Sequence, residues 1–321
     1  MRALVALTAA AVALGCAGPD LRKERIASIS PLLLTRTSCP GSTGHLEVRV
    51  NLENGKQLAT RGPAKGEVAW TNFSLSSDVV TVGREGQVLM PEDPRAYLRA
   101  EPSIRIQTAG HPELNALVPV PVRYDCEFVA DFSGRDGTDG SAGRDGQDAT
   151  AEQEATAGEH GSDGQQGTSA EDVKLTLALV NAADGTPYLQ ALAQGQATGA
   201  RHLFLIDTRG GTLAVLARGG NAGSGGDGGR AGSGKAAGGG GSGGDAGDGG
   251  NIEVVLDEAA APYAGLVHYE TSAGRGGVAG KNSVGSSLID IIAAVVLQPR
   301  AGTDGRAGKV TPRKESVPPL W

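Results

Sequence analysis

The sequence predicts a mainly β fold: an N-terminal β-sandwich, then a second β domain interrupted by glycine-rich segments of polyproline-II or polyglycine-II type. Three observations lead to this prediction. Short runs that alternate apolar and polar residues lie between turn residues, as strands do. The 321 residues include 51 glycines but only 3% aromatic residues, so much of the chain cannot join a conventional core. In part of the chain glycine recurs at every third position, which is the repeat of a polyproline-II helix.

Residues 1–15 have the layout of a secretory signal peptide, with a positive charge at Arg2 before an apolar run that is too short to span a membrane. The motif ALGC, which ends at Cys16, resembles the bacterial lipobox. The resemblance implies that Cys16 is lipidated and becomes the first mature residue, followed by a tether over residues 16–28. Ala17 in place of Asp implies an outer-membrane lipoprotein. The alternative is an ordinary secretory signal in which the cysteine is incidental.

Residues 29–132 are predicted to form the β-sandwich. Runs such as HLEVRVNL and SIRIQTAG alternate apolar and polar residues, and turn signals such as Glu53-Asn54-Gly55 separate them. This spacing is typical of a sandwich of about 100 residues. Trp70 is predicted to be a buried packing residue of its core.

Two cysteines, Cys39 and Cys126, remain after Cys16. An even number of cysteines in an exported chain predicts a disulfide, and two cysteines allow one intramolecular pairing. Closing a loop of this length contributes about 4 to 5 kcal/mol in the chain-entropy model. Neither cysteine has a second cysteine or histidine at metal-ligand spacing, so a metal site is not predicted here.

Residues 133–170 form a Gly-x-y segment that is collagen-like in its repeat. The runs are short and broken, and Asp, Arg, Ser and Thr stand where collagen carries proline. A true triple helix is therefore the less favoured alternative. The repeating glycines are Gly134, Gly137, Gly140, Gly143, Gly146, Gly158, Gly161, Gly164 and Gly167.

Residues 171–311 are predicted to form the second β domain, with glycine-rich insertions at 219–250 and 273–286. Strand-like runs such as GTLAVLAR and NIEVVLDE flank the longer insertion, so the chain is expected to return to the same sheet after it. The insertion is expected to form an ordered polyglycine-II array, and the alternative is a flexible loop. In an array, glycines such as Gly226 and Gly241 would point inward, whereas Asp227 would face water.

The last residues, 312–321, are predicted to be a C-terminal tail. Pro318 and Pro319 argue against a regular final strand, and Trp321 is expected to pack the tail down. The apolar run from Ser286 to Gln298 contains Asp290 and is too short to span a bilayer, so a buried strand or short helix is expected there.

The lipobox, the two β domains and the glycine segments, with the motifs ADFSGRDGTDGSAGRDGQD and VPPLW, together resemble the glycine-rich, collagen-like lipoproteins of myxobacteria and related bacteria. The tract at 219–250 is also similar to the polyglycine-II bundles of some phage tail adhesins and of a glycine-rich antifreeze protein. The lipoprotein resemblance implies a component of the cell envelope and no known reaction.

No catalytic or cofactor-binding residue is predicted. GRAGSGKA, from Gly229 to Ala236, has the spacing of a phosphate-binding loop but lacks the hydroxyl that coordinates Mg²⁺. The histidines are not at the spacing of a zinc hydrolase. Calcium is the strongest metal hypothesis, but solvated aspartates on a glycine scaffold are the preferred interpretation, so no metal site is predicted. The aspartates concerned are Asp136, Asp139, Asp145, Asp227, Asp245 and Asp248.

The composition limits the classes of function that the chain can have. The 29 basic and 36 acidic residues give a formal net charge of −7, which argues against a nucleic-acid partner. We expect a non-enzymatic, lipid-anchored component of the outer membrane, periplasmic or surface-exposed, with a structural, scaffold or adhesion role. Its expected partners are the membrane, through the anchor, and glycans or envelope proteins; the oligomeric state stays open. The alternative is a glycan-active or metal-dependent envelope enzyme.

Overall fold

The computed structural model describes residues 18–34, 38–62, 65–97, 101–182, 184–283 and 298–320. The chain divides into two units, which run from Met1 to Arg123 and from Tyr124 to Trp321. Strands predominate in both, which confirms the predicted mainly β fold. The predicted disulfide between Cys39 and Cys126 is present. The predicted lipidation site, Cys16, lies outside the described residues.

Unit 1 contains two antiparallel sheets. In the first, β2 pairs with β1, β3 and β6, and β6 also pairs with β5; in the second, β7 lies between β4 and β8. The strands are β1 (Ile26–Leu33), β2 (Thr43–Leu52), β3 (Gln57–Ala59), β4 (Phe73–Ser76), β5 (Thr81–Val82), β6 (Gln87–Leu89), β7 (Ser103–Thr108) and β8 (His111–Pro119). Short 3₁₀ helices span Leu21–Lys23, Trp70–Asn72 and Pro94–Tyr97.

The core of unit 1 lies between these sheets. Val48 and Val50 of β2, which alternate with polar residues, are fully buried, and so are Ile104 and Ile106 of β7. These residues belong to one apolar cluster, as expected for a sandwich. Trp70 is buried in the same cluster, as predicted.

The indole of Trp70 is held by two contacts. Its Nε1–H donates to the carbonyl oxygen of Arg61 at 2.7 Å, and its ring packs edge-on against Phe73 with 6.2 Å between centroids. Gly86 lies against the ring with a φ of +75°, where a side chain would both strain the backbone and collide with the indole.

Unit 2 combines a three-stranded parallel sheet, in the order β15-β13-β9, with a five-stranded sheet, in the order β12-β11-β10-β14-β16. In the larger sheet β10, β14 and β16 are parallel to one another. The strands are β9 (Glu127–Asp131), β10 (Val173–Asn181), β11 (Pro187–Gly195), β12 (Arg201–Asp207), β13 (Thr212–Leu216), β14 (Ile252–Leu256), β15 (Val267–Glu270) and β16 (Val310–Lys314). A 3₁₀ helix spans Glu258–Leu266.

The two sheets of unit 2 meet through apolar side chains. Phe128 of β9 and Phe204 of β12 have ring centroids 5.5 Å apart, and Leu175 and Leu177 of β10 are fully buried. The sequence placed Glu127–Asp131 in the N-terminal sandwich, whereas this strand pairs in parallel with β13 in unit 2. The alternating pattern of a strand identifies it as a strand but carries no information about a distant partner.

The C-terminal residues return to the larger sheet. β16 is its edge strand, where Pro312 is tolerated because an edge strand leaves some N–H positions unused. Beyond β16, the Leu320 N–H donates at 3.0 Å to Oε1 of Gln190, a fully buried residue of β11. The predicted packing of Trp321 and nearly all of the apolar run at Ser286–Gln298 lie outside the described residues.

Candidate interaction surface on the glycine tracts

The glycine-rich residues of unit 2 continue its strands as six extended tracts. Tracts 1, 3 and 5 leave β9, β13 and β15, and tracts 2, 4 and 6 lead back into β10, β14 and β16. Because each set of three strands is parallel, the tracts inherit an ordered arrangement from the two sheets. Their residues are 133–148 (tract 1), 156–171 (tract 2), 217–232 (tract 3), 236–251 (tract 4), 271–283 (tract 5) and 298–309 (tract 6).

Backbone hydrogen bonds join the tracts at every third residue. Between tracts 1 and 3, the Gly137 N–H donates to the carbonyl of Asn221 at 2.7 Å, and Gly140 repeats the contact one turn later with Ser224. The Gly226 N–H of tract 3 donates to tract 2, and its carbonyl accepts from Gly241 of tract 4. Successive residues of a tract therefore bond to different neighbours, as polyglycine-II packing requires.

The central tracts have neighbours on several sides. Tract 3 bonds to tracts 1 and 5 beside it and to tracts 2 and 4 across from it. Tracts 1, 3 and 5 thus form one layer, and tracts 2, 4 and 6 form the other. All these bonds lie within one chain, in contrast to a collagen triple helix, whose segments come from three chains.

Glycine is required where the tracts approach most closely. A Cβ atom on Gly226 would overlap the carbonyl oxygen of Ser141, and one on Gly241 would overlap that of Ser162. Both glycines point inward, as predicted. Gly239 of the same tract differs, because a Cβ there would first meet the His160 side chain, at 3.1 Å. The repeat of glycine therefore reflects close backbone packing.

The aspartates of the tracts are exposed, as predicted, and they also accept hydrogen bonds from backbone N–H groups of the next tract. On tract 1, Asp136 accepts from Asn221 at 2.6 Å, and Asp139 and Asp145 repeat the contact on tract 3. The same arrangement links tract 3 to tract 5 and tract 4 to tract 6, through Asp227 with Lys281, Asp245 with Thr303, and Asp248 with Arg306.

These contacts satisfy N–H groups on the two outer faces, where none of the six described tracts is stacked. The pKa of Asp245 is lowered because the backbone N–H and then the hydroxyl of Thr303 donate to its carboxylate. The pKa of Asp148 is lowered by the hydroxyl and backbone N–H of Ser233. In the described part of the chain, no group of three or more acidic, histidine or cysteine side chains is placed to hold a metal ion. The third-residue spacing of the aspartates was the available sequence signal for these contacts.

The other sequence motifs also lie in the array. Gly229, at the start of the phosphate-loop-like motif, donates its N–H to the carbonyl of Glu159 in tract 2. Lys235 of that motif lies 3.9 Å from the carboxylate of Glu154. His160 accepts the Gly239 N–H through Nδ1 at 2.9 Å. These residues thus make contacts that hold neighbouring segments of the chain together.

A groove of about 760 Å³ lies where β9, β13 and β15 continue into tracts 1, 3 and 5. Its walls carry both charges, and Arg218 lies 3.9 Å from Glu270. Partial burial raises the pKa of Asp131, but hydrogen bonds from Ser133 and the charge of Arg218 outweigh this effect, so the net shift is downward. The groove is therefore a polar surface in which acids and bases offset one another.

Searches with the chain against protein-family models, curated proteins and solved structures found no match. None of the helices in the described residues combines the length and the apolar character needed to cross a membrane.

Proposed function

We propose that this chain is a non-enzymatic, lipid-anchored component of the bacterial outer membrane, periplasmic or surface-exposed, in which the glycine array is a rigid scaffold for contacts with other envelope molecules. The observation that carries the proposal is the hydrogen-bonded array itself, which presents polar side chains on two outer faces. A rigid surface loses little conformational entropy when it binds a partner.

The arrangement of the tracts supports a role in contact rather than catalysis. Inward positions are occupied by glycine and leave no space for side chains, and the aspartates of the outer faces are engaged by backbone N–H groups. The groove beside β13 contains Asp131 and Glu270, but Arg218 is close to both of them. The signal-peptide-like layout of residues 1–15 and the lipobox resemblance support a role in the cell envelope.

The test is cosedimentation of the full mature chain, carrying Cys16→Ser to remove the anchor, with an isolated envelope fraction. We expect the chain to sediment with the envelope and to lose this binding when Gly226→Val disrupts the array. Gly239→Ala is the control, because position 239 has room for a methyl group after a small shift of His160.

Three results would contradict the proposal. If the parent chain stays in the supernatant, it does not bind the envelope fraction and has no such interaction role. If a Gly226→Val chain with a disrupted array still binds, the binding surface lies outside the array. Release of soluble saccharides from the envelope fraction by the parent chain would favour the enzymatic alternative.

A further inference from the structure

Charge is distributed unevenly across the array. Most of the charged side chains in tracts 1 and 2 are acidic. They are Asp136, Asp139, Asp145, Asp148, Glu159, Asp163 and Glu171. Tracts 5 and 6, at the opposite edge, carry one acidic residue, Asp304, and five basic residues. We call these five the basic edge: Arg275, Lys281, Arg300, Arg306 and Lys309.

Within the part of the chain that the structure describes, the basic edge is open to a partner. All five side chains are exposed, and within the described residues none lies within 4.0 Å of a carboxylate. Arg300, Arg306 and Lys309 are spaced by multiples of three residues, so they lie on the same face of tract 6. At a rise of about 3.1 Å per residue, Arg300 and Arg306 are about 19 Å apart along the tract.

Backbone donors lie between these cations. Ala273 and Ala279 of tract 5 and Ala301 and Ala307 of tract 6 have N–H groups with no acceptor among the described residues. Gly276 of tract 5 shows what such a group binds, because its N–H donates to the Asp304 carboxylate at 2.7 Å. A carboxylate from outside the chain would find the same kind of donor beside an arginine or lysine.

A second copy of the chain is a poor source of such carboxylates. The carboxylates of its acidic tracts, such as Asp139 and Asp145, already accept N–H groups of tract 3. Nucleic acid is also disfavoured, because tracts 5 and 6 contain no aromatic side chain for base stacking and the chain has a net charge of −7. A linear polymer with carboxylates along its length matches an extended row of cations and small residues.

We propose that the basic edge binds an acidic polysaccharide, whose carboxylates lie against the arginines, lysines and free N–H groups of tracts 5 and 6. This proposal rests on the proposed function, of which it specifies the partner. Since the contacts are exposed and charged, binding weakens as salt screens them.

The test uses the full mature chain with Cys16→Ser and polygalacturonate, a linear polymer of uronic acids, in a titration at low and physiological salt. The variant Arg300→Gln/Arg306→Gln is compared with Arg135→Gln/Arg144→Gln, which removes two exposed arginines from tract 1. We expect the affinity of the first variant for polygalacturonate to fall by up to about tenfold, and the second variant to bind like the parent. Unchanged thermal unfolding of both variants would establish that folding is intact.

Even if polygalacturonate binds, four results would overturn the proposal. They are equal binding by the parent and the tract 6 variant, equal weakening in both variants, binding of a DNA oligonucleotide as tight as that of polygalacturonate, and self-association of the parent that the tract 6 variant abolishes. If polygalacturonate does not bind but the chain still sediments with the envelope fraction, this proposal fails and the proposed function stands. If neither binds, both fail.

Discussion

Single carboxylates of the array are predicted to make its stability depend on pH. The pKa values of Asp148 and Asp245 are below the ordinary value of 3.8 in the folded chain because hydroxyl and N–H groups donate to the charged form. A lowered folded-state pKa stabilises the protein above the unfolded-state value, and this stabilisation is lost as the pH falls through the folded-state value. We therefore expect the free energy of unfolding to fall as the pH drops from about 5 to below 3.8.

The measurement is urea unfolding of the parent and of Asp148→Asn/Asp245→Asn across this range. Asparagine keeps an acceptor oxygen but does not titrate, so the variant should lose less stability on acidification than the parent. The same slope in both proteins would show that these two groups are not responsible.

Single glycines of the array are predicted to differ in their tolerance of a methyl group. Gly241→Ala places a Cβ against the Ser162 carbonyl and should destabilise unit 2 by about 3 kcal/mol or more, because two bonded backbones must separate. Gly239→Ala, in the same tract, should cost about 1 kcal/mol or less, since its nearest obstacle is a side chain.

Hydrogen exchange and chemical denaturation measure this difference. Protected amides across tracts 3 and 4 are expected in the parent and in Gly239→Ala, with protection lost in Gly241→Ala. Random-coil exchange of these amides in the parent would favour the flexible loop, and equal stability of the two variants would contradict the close packing. Asp227→Asn is expected to change little, since its side-chain oxygen can still accept the Lys281 N–H.

At the scale of elements, the disulfide is predicted to contribute strongly to stability. Cys39 precedes β2 and Cys126 precedes β9, so the bond closes a loop of about 90 residues, for which the chain-entropy model gives about 4 to 5 kcal/mol. We expect Cys39→Ser/Cys126→Ser to lower the free energy of unfolding by a comparable amount. The measurement is denaturant unfolding of the oxidised parent and the variant. Mass spectrometry of non-reduced peptides is the control, and two alkylatable thiols in the exported parent would contradict the prediction.

The tracts also explain why edge positions differ from central ones. Gly226 and Gly241 are enclosed by backbones, whereas Ala301 and Ala307 of tract 6 are exposed and carry a side chain without conflict. A tract with fewer neighbours needs glycine on fewer sides. The positions at which a tract requires glycine therefore depend on how many neighbouring tracts it has.

At the scale of the whole molecule, Cys16 is predicted to determine where the protein resides. The motif ALGC, which resembles a lipobox, ends at Cys16, and the lipid would be attached to this residue. Cys16→Ala should therefore abolish acylation and release the chain from the membrane fraction. Labelling with a fatty-acid analogue and fractionation of cells measure both effects, with Cys39→Ser/Cys126→Ser as the control that keeps Cys16. Unchanged labelling of the Cys16→Ala chain would refute the prediction.

The sequence by itself determined the local features of this protein. Alternation of apolar and polar residues predicted strands such as β2 and β10, and the two cysteines that follow Cys16 predicted the disulfide. The third-residue repeat identified Gly226 and Gly241 as inward positions. These features depend on residues near one another in the chain, or, for the disulfide, on a single possible pairing.

Only the tertiary structure decided which segments lie side by side. Glu127–Asp131 was predicted in the N-terminal sandwich, but in the structure it pairs in parallel with β13, which lies far along the chain. The tertiary structure also assigned the aspartates to backbone N–H groups of the next tract and gathered the cations of tracts 5 and 6 at one edge. Such pairings are fixed by the order of parallel strands in the two sheets, because each tract continues a strand, and local sequence patterns do not encode that order.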